Sequence, residues 1–557
     1  MKKQFILVVI LAVAVSVFSQ TPQWEWAVSP EGPANGNEYS YAIATDSAGN
    51  SYITGYYTYS ITLGSITLSC DWLELFVAKM DADGNWLWAV DAEGTNWGKC
   101  GWDIAVDEGG CCYVTGYYTD SATFGSTTLS GNGQQMFVAK VVEGEWIWAV
   151  GTNNATDINY GKGIAVSASG QSYITGSFSG TVSLGDHAIT SAGASDIFMA
   201  KLDEDGNYLW VKQAGSISDD GGYSVATDTA GNSYFTGYFK ETITFGNTSL
   251  TSNGNTDVFV AKLEGSGNWQ WAVQAGGYVS DIGKSLSLDT SGNVYLTGAF
   301  DTSATFGPFS LTSYGGVDAY VAKLDTVGNW IWVEQAGSPY YADEIGYDIF
   351  TRANGDSYIT GKYCYFCNFG SIQIAGSGDN DVFVAKIDVA GNWLWALPVT
   401  ADDDGTAISI DNAGNGYLTG YYNNTAVFGG FSLISSGNKD VFVAKLGSDT
   451  GSGNETIPTI IELFNYPNPF NPSTTISFSV TQSSAFATLE IYNIKGQKVK
   501  TLDCCNSFAA AAKELLHSKT VTWNGDDENG KLVSSGIYFA RLKAGKTEAK
   551  CKMLLLK

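Results

Sequence analysis

The sequence predicts an all-β protein: a seven-bladed β-propeller of four-stranded blades, followed by a small β-sandwich. Three series of residues, all at the same period, carry that prediction. A Thr-Gly pair ends at Gly55, Gly116, Gly176, Gly237, Gly298, Gly361 and Gly420. A Phe-Val-Ala-Lys-like run ends at Lys79, Lys140, Lys201, Lys262, Lys323, Lys386 and Lys445. A Trp-x-Trp series runs Trp24/Trp26, Trp86/Trp88, Trp146/Trp148, Tyr208/Trp210, Trp269/Trp271, Trp330/Trp332 and Trp393/Trp395. Each series counts seven, and the first two are spaced by 59 to 63 residues. A self-similar unit of this length is one supersecondary module that buries its faces against neighbouring copies.

Within a unit the turn chemistry gives two hairpins. Tyr223 to Asp228 and Ser233 to Phe239 flank Thr229-Ala230-Gly231-Asn232, where Gly and Asn tolerate the positive φ of a tight turn. Val258 to Leu263 and Trp269 to Val273 flank Gly265-Ser266-Gly267-Asn268 in the same way. Four antiparallel strands repeated seven times make a propeller. A linear solenoid also repeats, but its coils are shorter than a paired-hairpin unit. The series are out of phase at the ends: Trp24 to Val28 is a fourth-strand motif with no first strand before it, and the last unit stops at Lys445 without one. Pairing Trp24 to Val28 with Val441 to Leu446 repairs both deficits and closes the ring. Motifs such as Asp228-Thr-Ala-Gly-Asn-Ser-Tyr-Phe-Thr-Gly237 and Asp257-Val-Phe-Val-Ala-Lys262 resemble the beta-propeller repeat family of secreted bacterial proteins, over about residues 24 to 446. That resemblance implies no defined activity.

The N-terminus reads as an export signal. Lys2 and Lys3 precede an apolar run from Phe5 to Phe18, and Val17 with Ser19 places small residues for cleavage near Ser19. The run is shorter than the ~20 residues that span a bilayer. Domains are therefore expected at 1–19 (signal), 20–446 (propeller) and 456–557 (C-terminal domain), with the Gly/Ser-rich stretch 447–455 as a flexible linker.

Charge separates the two modules. From Tyr466 onward there are 12 Lys+Arg against 7 Asp+Glu, and the rest of the chain holds 17 against 49. The acidic part repels phosphate backbones and anionic lipid, so nucleic acid and membrane surfaces are poor partners, and cations, neutral glycans or proteins remain.

In the C-terminal part, alternating apolar runs at Thr475 to Val480, Ala487 to Tyr492 and Gly536 to Leu542 predict a small sandwich. Tyr466-Pro467-Asn468-Pro469-Phe470-Asn-Pro-Ser-Thr474, Ile491 to Val499, Trp523-Asn-Gly525, Ser535-Gly536-Ile-Tyr538-Phe539 and Lys552-Met-Leu-Leu-Leu-Lys557 follow in that order. The pattern resembles the C-terminal sorting domain of the type IX secretion system, an Ig-like β-sandwich related to the Ig-like domain of the flagellar hook-capping protein. The resemblance implies translocation across the outer membrane, a secreted or surface location, the secretion machinery as partner, and a tail often removed afterwards. The helix-forming stretch Cys504 to Leu516 departs from the pattern.

Residue supply limits the chemistry. A sialidase-like propeller needs an arginine cluster, and the propeller holds only Arg352. His187 is its only histidine, which leaves histidine-dependent triads without support. Nine cysteines include Cys364-x-x-Cys367, which lacks further zinc ligands nearby and reads as a strand-end pair or local disulfide. Carboxylates are plentiful, so a paired-carboxylate glycan-active enzyme is the alternative to a binding or scaffold module. The acids recur in phase. Before the first strands lie Glu38, Asp220, Asp281, Glu344 and Asp403, with Lys99 and Asn159 breaking the series. Before the third strands lie Glu74, Asp196, Asp257, Asp318, Asp381 and Asp440. These eleven are expected on one face, either holding calcium or a cationic or glycan ligand, or accepting backbone N–H groups at strand starts.

Overall fold

The computed structural model describes residues 21–94, 98–153, 159–378, 380–401, 404–449, 461–466, 468–480, 487–502, 517–544 and 547–557. The chain divides into two compact units, Met1–Thr450 and Gly451–Lys557. The first is a propeller of antiparallel four-stranded blades. The fourth blade is representative: Gly221–Thr227, Ser233–Phe239, Asp257–Leu263 and Trp269–Gly276 pair in sequence order. Its first hairpin closes on an Asx turn. Asp228 Oδ1 accepts from the N–H groups of Ala230 (3.0 Å) and Asn232 (2.9 Å), while Gly231 takes φ +78°. A short carboxylate followed by Gly-Asn supplies those acceptors and that φ, which is why the tetrapeptide recurs.

The Thr-Gly pair has a steric origin. Thr236 Oγ1 donates to Phe259 O across the blade at 2.8 Å, and a Cβ on Gly237 would overlap the carbonyl oxygen of Gly221 on the innermost strand. The same two constraints act in all seven repeats, from Thr54 and Gly55 to Thr419 and Gly420.

The lysine and tryptophan series meet on one tyrosine. Tyr234 lies beside Lys262 in register, with Nζ 4.7 Å from the ring centre, and makes an edge contact with Trp271 at 6.1 Å. Each repeat holds this trio, with lysine-to-ring distances of 4.7 to 5.7 Å. A half-buried cation over an aromatic face contributes on the order of 1 kcal/mol, and burial of the rings contributes more. The tryptophan also joins blades: Trp148, Trp210, Trp271 and Trp332 donate Nε1–H to backbone carbonyls in the next blade's second turn, at 3.0 to 3.2 Å.

An outer arm not anticipated from the sequence adds a second junction. The stretch between the second and third strands folds as a short hairpin, Thr242–Phe245 with Thr248–Thr251 in the fourth blade. Arms of later blades pair with the outermost strand of the blade before, as in Ala275↔Phe306 and Ala336↔Phe369. That strand would otherwise present a free edge. The arm leaves its blade through a corner at positive φ, taken by Tyr59, Asp120, Glu241, Thr302, Tyr365 and Asn424 as well as Gly180. Because non-glycine residues occupy most corners, no sequence signal marked the bend.

The innermost strands form a closed ring. They are Glu38–Thr45, Lys99–Val106, Tyr160–Val166, Gly221–Thr227, Ile282–Leu288, Ile345–Thr351 and Gly405–Ile410; each packs against the next, and the last returns to the first. At the seam, Trp24–Val28 pairs antiparallel with Asp440–Leu446, with Trp24↔Leu446, Trp26↔Lys445 and Val28↔Val443 in register. Trp26 thereby supplies the trio of Tyr417 and Lys445, and its Nε1–H donates to Ala82 O of the first blade at 3.1 Å. One core cluster spans the seam, joining Ile43, Ile53 and Phe76 to Tyr417, Val441 and Val443.

The expected linker begins later than residue 447. Gly447 N–H donates to Gln23 O (2.8 Å), and Asp449 accepts from Lys386 Nζ (2.6 Å), Tyr358 OH (3.0 Å) and Trp395 Nε1 (3.3 Å). Trp395 has no fourth-strand turn in the next blade to bond, so Asp449 stands in its place. Among the described residues, Cys364 and Cys367 are unbridged, and no helix is long and apolar enough to cross a membrane.

The second unit is a two-sheet sandwich. Ile461–Tyr466, Thr474–Val480 and His517–Trp523 form one sheet; Lys498–Leu502, Ala487–Asn493, Gly536–Ala544 and Thr547–Leu555 form the other, in that order. Trp523, fully buried, anchors the core with Phe470, Tyr538, Ile491, Met553 and Leu555. The expected helix-forming stretch 504–516 lies outside the described residues.

Deleting residues 20–30 is expected to lower the melting temperature of the whole propeller as one cooperative transition in calorimetry, because the lost strand joins its first and last blades. An unchanged main transition would contradict the seam's role. Gly237→Ala is expected to destabilise by about 1–3 kcal/mol in chemical denaturation, since the added Cβ displaces the innermost strand.

Candidate functional site

A cavity of about 330 Å³ opens on the axis of the ring. The third residue after each acidic first-strand position reaches this axis: Tyr41, Trp102, Lys162, Tyr223, Lys284, Tyr347 and Thr406 all line the cavity. A fixed register in seven equivalent strands therefore delivers one side chain per blade. Lys162 Nζ sits 3.2 Å from the centre of the Trp102 ring, and Lys284 Nζ sits 4.6 Å from that of Tyr223. Neither lysine has a carboxylate within ion-pair distance among the described residues. Burial pushes Lys162 down to about 8 and lowers Lys284 as well. Aromatic rings continue up the wall: Tyr41 packs against Trp102 at 4.4 Å, and Tyr39 against Tyr421 at 4.3 Å, where Lys439 also lies over the Tyr421 ring.

Carboxylates at the axis have defined tasks. Asp103 accepts from Ile104 N–H (2.8 Å) and from Ile164 N–H of the next blade (2.7 Å). Asp348 accepts from Ser285 Oγ (2.6 Å), Ile349 N–H (2.9 Å) and Ile408 N–H (2.8 Å). Each ties adjacent innermost strands, and burial raises both, Asp103 to about 7. Asp404 accepts from Tyr421 OH (2.6 Å) and Tyr347 OH (3.4 Å) on the cavity wall. Sequence reasoning missed these residues because the axial position varies among Tyr, Trp, Lys and Thr. Only the repeat phase, counted three beyond the acidic position, marks them.

The acidic series is buried in the blade junctions and does not form the expected surface ring. The residue before each third-strand acid bonds to the next blade's first-strand acid: Asp220 N–H donates to Ser195 O, Asp281 to Thr256 O, Glu344 to Val317 O and Glu38 to Lys439 O, each at 2.8 Å. The junctions therefore bring together Asp196 with Asp220, Asp257 with Asp281, Asp318 with Glu344 and Asp440 with Glu38, all buried. Backbone N–H groups take one oxygen of each third-strand acid, as Ala192 does for Asp196 (2.9 Å) and Tyr314 for Asp318 (2.9 Å). Burial, with the neighbouring carboxylate second or later, raises Glu38 to about 9, Glu344 to about 8 and Asp281 to about 7. Burial also lifts Asp220, Asp257 and Asp318 to about 6 and raises Asp196 and Asp381. Glu74 instead meets Lys99 Nζ at 2.5 Å, and Gln135 and Asn159 hold the next junction without charge. Asp381 accepts from Ser377 N–H (2.6 Å) and Ala401 N–H (3.2 Å); its counterpart Asp403 lies outside the described residues, as do Ser19 and Pro467.

In the second unit the motif residues converge. Asn468 accepts from Leu554 N–H (2.9 Å) and donates to Lys552 O (2.9 Å), and the Phe470 backbone bonds to Leu554 and Leu556. The Phe470 ring packs on Trp523 at 5.5 Å, which Tyr538 meets edge-on at 5.0 Å. Tyr538 OH donates to Ser534 O (2.7 Å), and Lys557 N–H donates to Ser535 Oγ (3.0 Å). Pro469 follows Asn468 through a cis bond, Gly536 opens the strand of Tyr538, and Tyr466 ends the first strand of the other sheet. Phe470→Ala is expected to destabilise this unit by about 3 kcal/mol in denaturant unfolding, through a cavity beside Trp523.

The uncharacterized WD repeat-containing protein L264 of Acanthamoeba polyphaga mimivirus is 22% identical over 450 residues, 64% of this chain and 32% of that protein. The regulatory protein FlaEY of Caulobacter vibrioides is 24% identical over 322 residues, 53% of this chain and 32% of that protein. The chain thus spans about a third of the length of these relatives. Among solved structures, PorZ, a surface component of the type IX secretion system of Porphyromonas gingivalis, is 13% identical with TM-score 0.38 over 95% of this chain and 61% of its own. Latent dimeric PorU from Porphyromonas gingivalis is 11% identical with TM-score 0.17 over 66% of this chain and 32% of its own. Residues 465–556 match the secretion system C-terminal sorting domain, which marks a secreted or cell-surface protein.

Proposed function

We propose that this chain is an exported binding module that captures an anionic sugar, of the uronic acid class, in the axial cavity of its propeller. The observation that carries the reading is the pair Lys162 and Lys284, each on an aromatic platform facing a cavity with no carboxylate paired to it. A carboxylated pyranose offers a charge for the ammonium groups, hydroxyls for Tyr347 and Tyr421, and an apolar ring face for aromatic stacking. Asp103 and Asp348 are engaged by strand N–H groups and Asp404 by tyrosine hydroxyls, so in a chain of net charge −27 these two lysines are the cationic groups of the cavity lining that a ligand carboxylate can meet. Asp103 and Asp348 already serve strand contacts, so no observation favours the paired-carboxylate enzyme.

Binding of galacturonate oligomers is expected by titration calorimetry, with neutral galactose oligomers bound at least about tenfold more weakly. Lys162→Gln with Lys284→Gln is expected to remove that preference while leaving the melting temperature within ~2 °C. Affinity is expected to fall as pH rises through about 8, where Lys162 loses its proton. Equal binding of neutral and acidic oligomers by both proteins contradicts the reading.

Export is proposed to run through cleavage near Ser19 and recognition of the C-terminal unit by the type IX machinery. In a host with that machinery, deleting residues 466–557 is expected to abolish surface delivery, measured by immunoblotting of outer fractions. Mass spectrometry of the delivered full-length protein is expected to show loss of residues 1–19.

A further inference from the structure

We infer that the carboxylate pairs buried at the blade junctions are divalent-cation sites, with calcium as the ion, which pin neighbouring blades together. Four junctions carry the same arrangement: Asp440 with Glu38, Asp196 with Asp220, Asp257 with Asp281, and Asp318 with Glu344. In all four, Oδ1 of the third-strand aspartate is buried with no hydrogen-bond donor among the described residues, although its Oδ2 is held by a backbone N–H. Of the first-strand acids, Glu38 faces the carboxylate of Asp440 and Glu344 Oε2 lacks a close donor, whereas both oxygens of Asp220 and of Asp281 also accept backbone N–H groups. A buried carboxylate oxygen lacking a partner is strongly unfavourable, and its recurrence in four equivalent places points to a shared partner.

The other junctions identify that partner. Where the first-strand position is Lys99, its ammonium lies 2.5 Å from Glu74 inside the junction, so the chain itself supplies a cation. Where both carboxylates are replaced, Gln135 bonds Thr152 at 2.8 Å and no charge needs balancing. Positive charge is thus built in where one acid is lost to lysine, and demanded where both acids stay. Two hard carboxylates suit calcium, which is abundant outside the cell and accepts irregular oxygen sets. A shared proton is the competing occupant: it is held up to about 9 at Glu38 and about 8 at Glu344, but only to about 6 to 7 at Asp257 and Asp281, so at pH 7.5 the Asp–Asp junctions are where the cation has the clearest advantage.

The test uses the full chain stripped with EDTA. Adding 2 mM calcium chloride is expected to raise the melting temperature by at least about 3 °C at pH 7.5, with saturable uptake in titration calorimetry. Asp257→Asn with Asp281→Asn is expected to remove one calcium equivalent and to leave the calcium-free melting temperature unchanged or higher, since repulsion is relieved. Gln135→Asp with Asn159→Asp is expected to add one equivalent. No calcium uptake, unchanged stoichiometry in both double variants, or a melting temperature set by pH alone with no calcium effect would overturn the inference. Galacturonate binding at the axis is read separately, so its failure leaves the junction sites standing.

Discussion

The antiparallel pairing of Trp24–Val28 with Asp440–Leu446 is the interaction on which the propeller depends. Without it the first and last blades would meet through packing and a few isolated hydrogen bonds, such as Glu38 N–H to Lys439 O, and the last blade would expose an unpaired strand. The seam repeats the chemistry of every other blade: Trp26 takes the tryptophan role, Lys445 and Tyr417 complete the trio, and Ala82 O receives the indole N–H. Closure therefore costs no special structure. Residues far apart in the chain complete a unit that elsewhere is continuous.

That closed ring makes the two candidate sites possible in different ways. The axial cavity exists because innermost strands in one register send one side chain each to a common centre. Its chemistry is then free to vary, since Tyr, Trp, Lys and Thr all fit a position that faces space rather than a neighbour. The junctions are the opposite case. There the backbone fixes the pairing through the repeated N–H to carbonyl bond, and the residues must answer for buried charge.

The trio and the outer arm explain why so acidic a chain holds together. Seven lysines are spent inside blades over tyrosine rings, so little positive charge remains for the surface. Long-range repulsion is offset by hydrogen bonds and apolar contacts between blades, with the arm covering the edge of the blade before it.

The four strands of each blade, the seam and the sandwich as a fold were legible in the sequence, because turn residues, alternation and the Trp-x-Trp phase are local. Gly55 and its equivalents recur because a Cβ would strike a carbonyl of the innermost strand, so a tertiary constraint leaves a local mark. The outer arm was not legible, since Tyr59, Thr302 and Tyr365 take positive φ without a glycine to announce it. The acidic series could be counted from sequence but not placed: its members seemed destined for one face, and are buried in pairs across junctions. The sequence by itself determined the repeat, its count and the turn chemistry, because each rests on residues a few positions apart. Only the tertiary structure decided which side chains meet at the axis and which carboxylates face each other, because those contacts are made between blades about sixty residues apart in sequence.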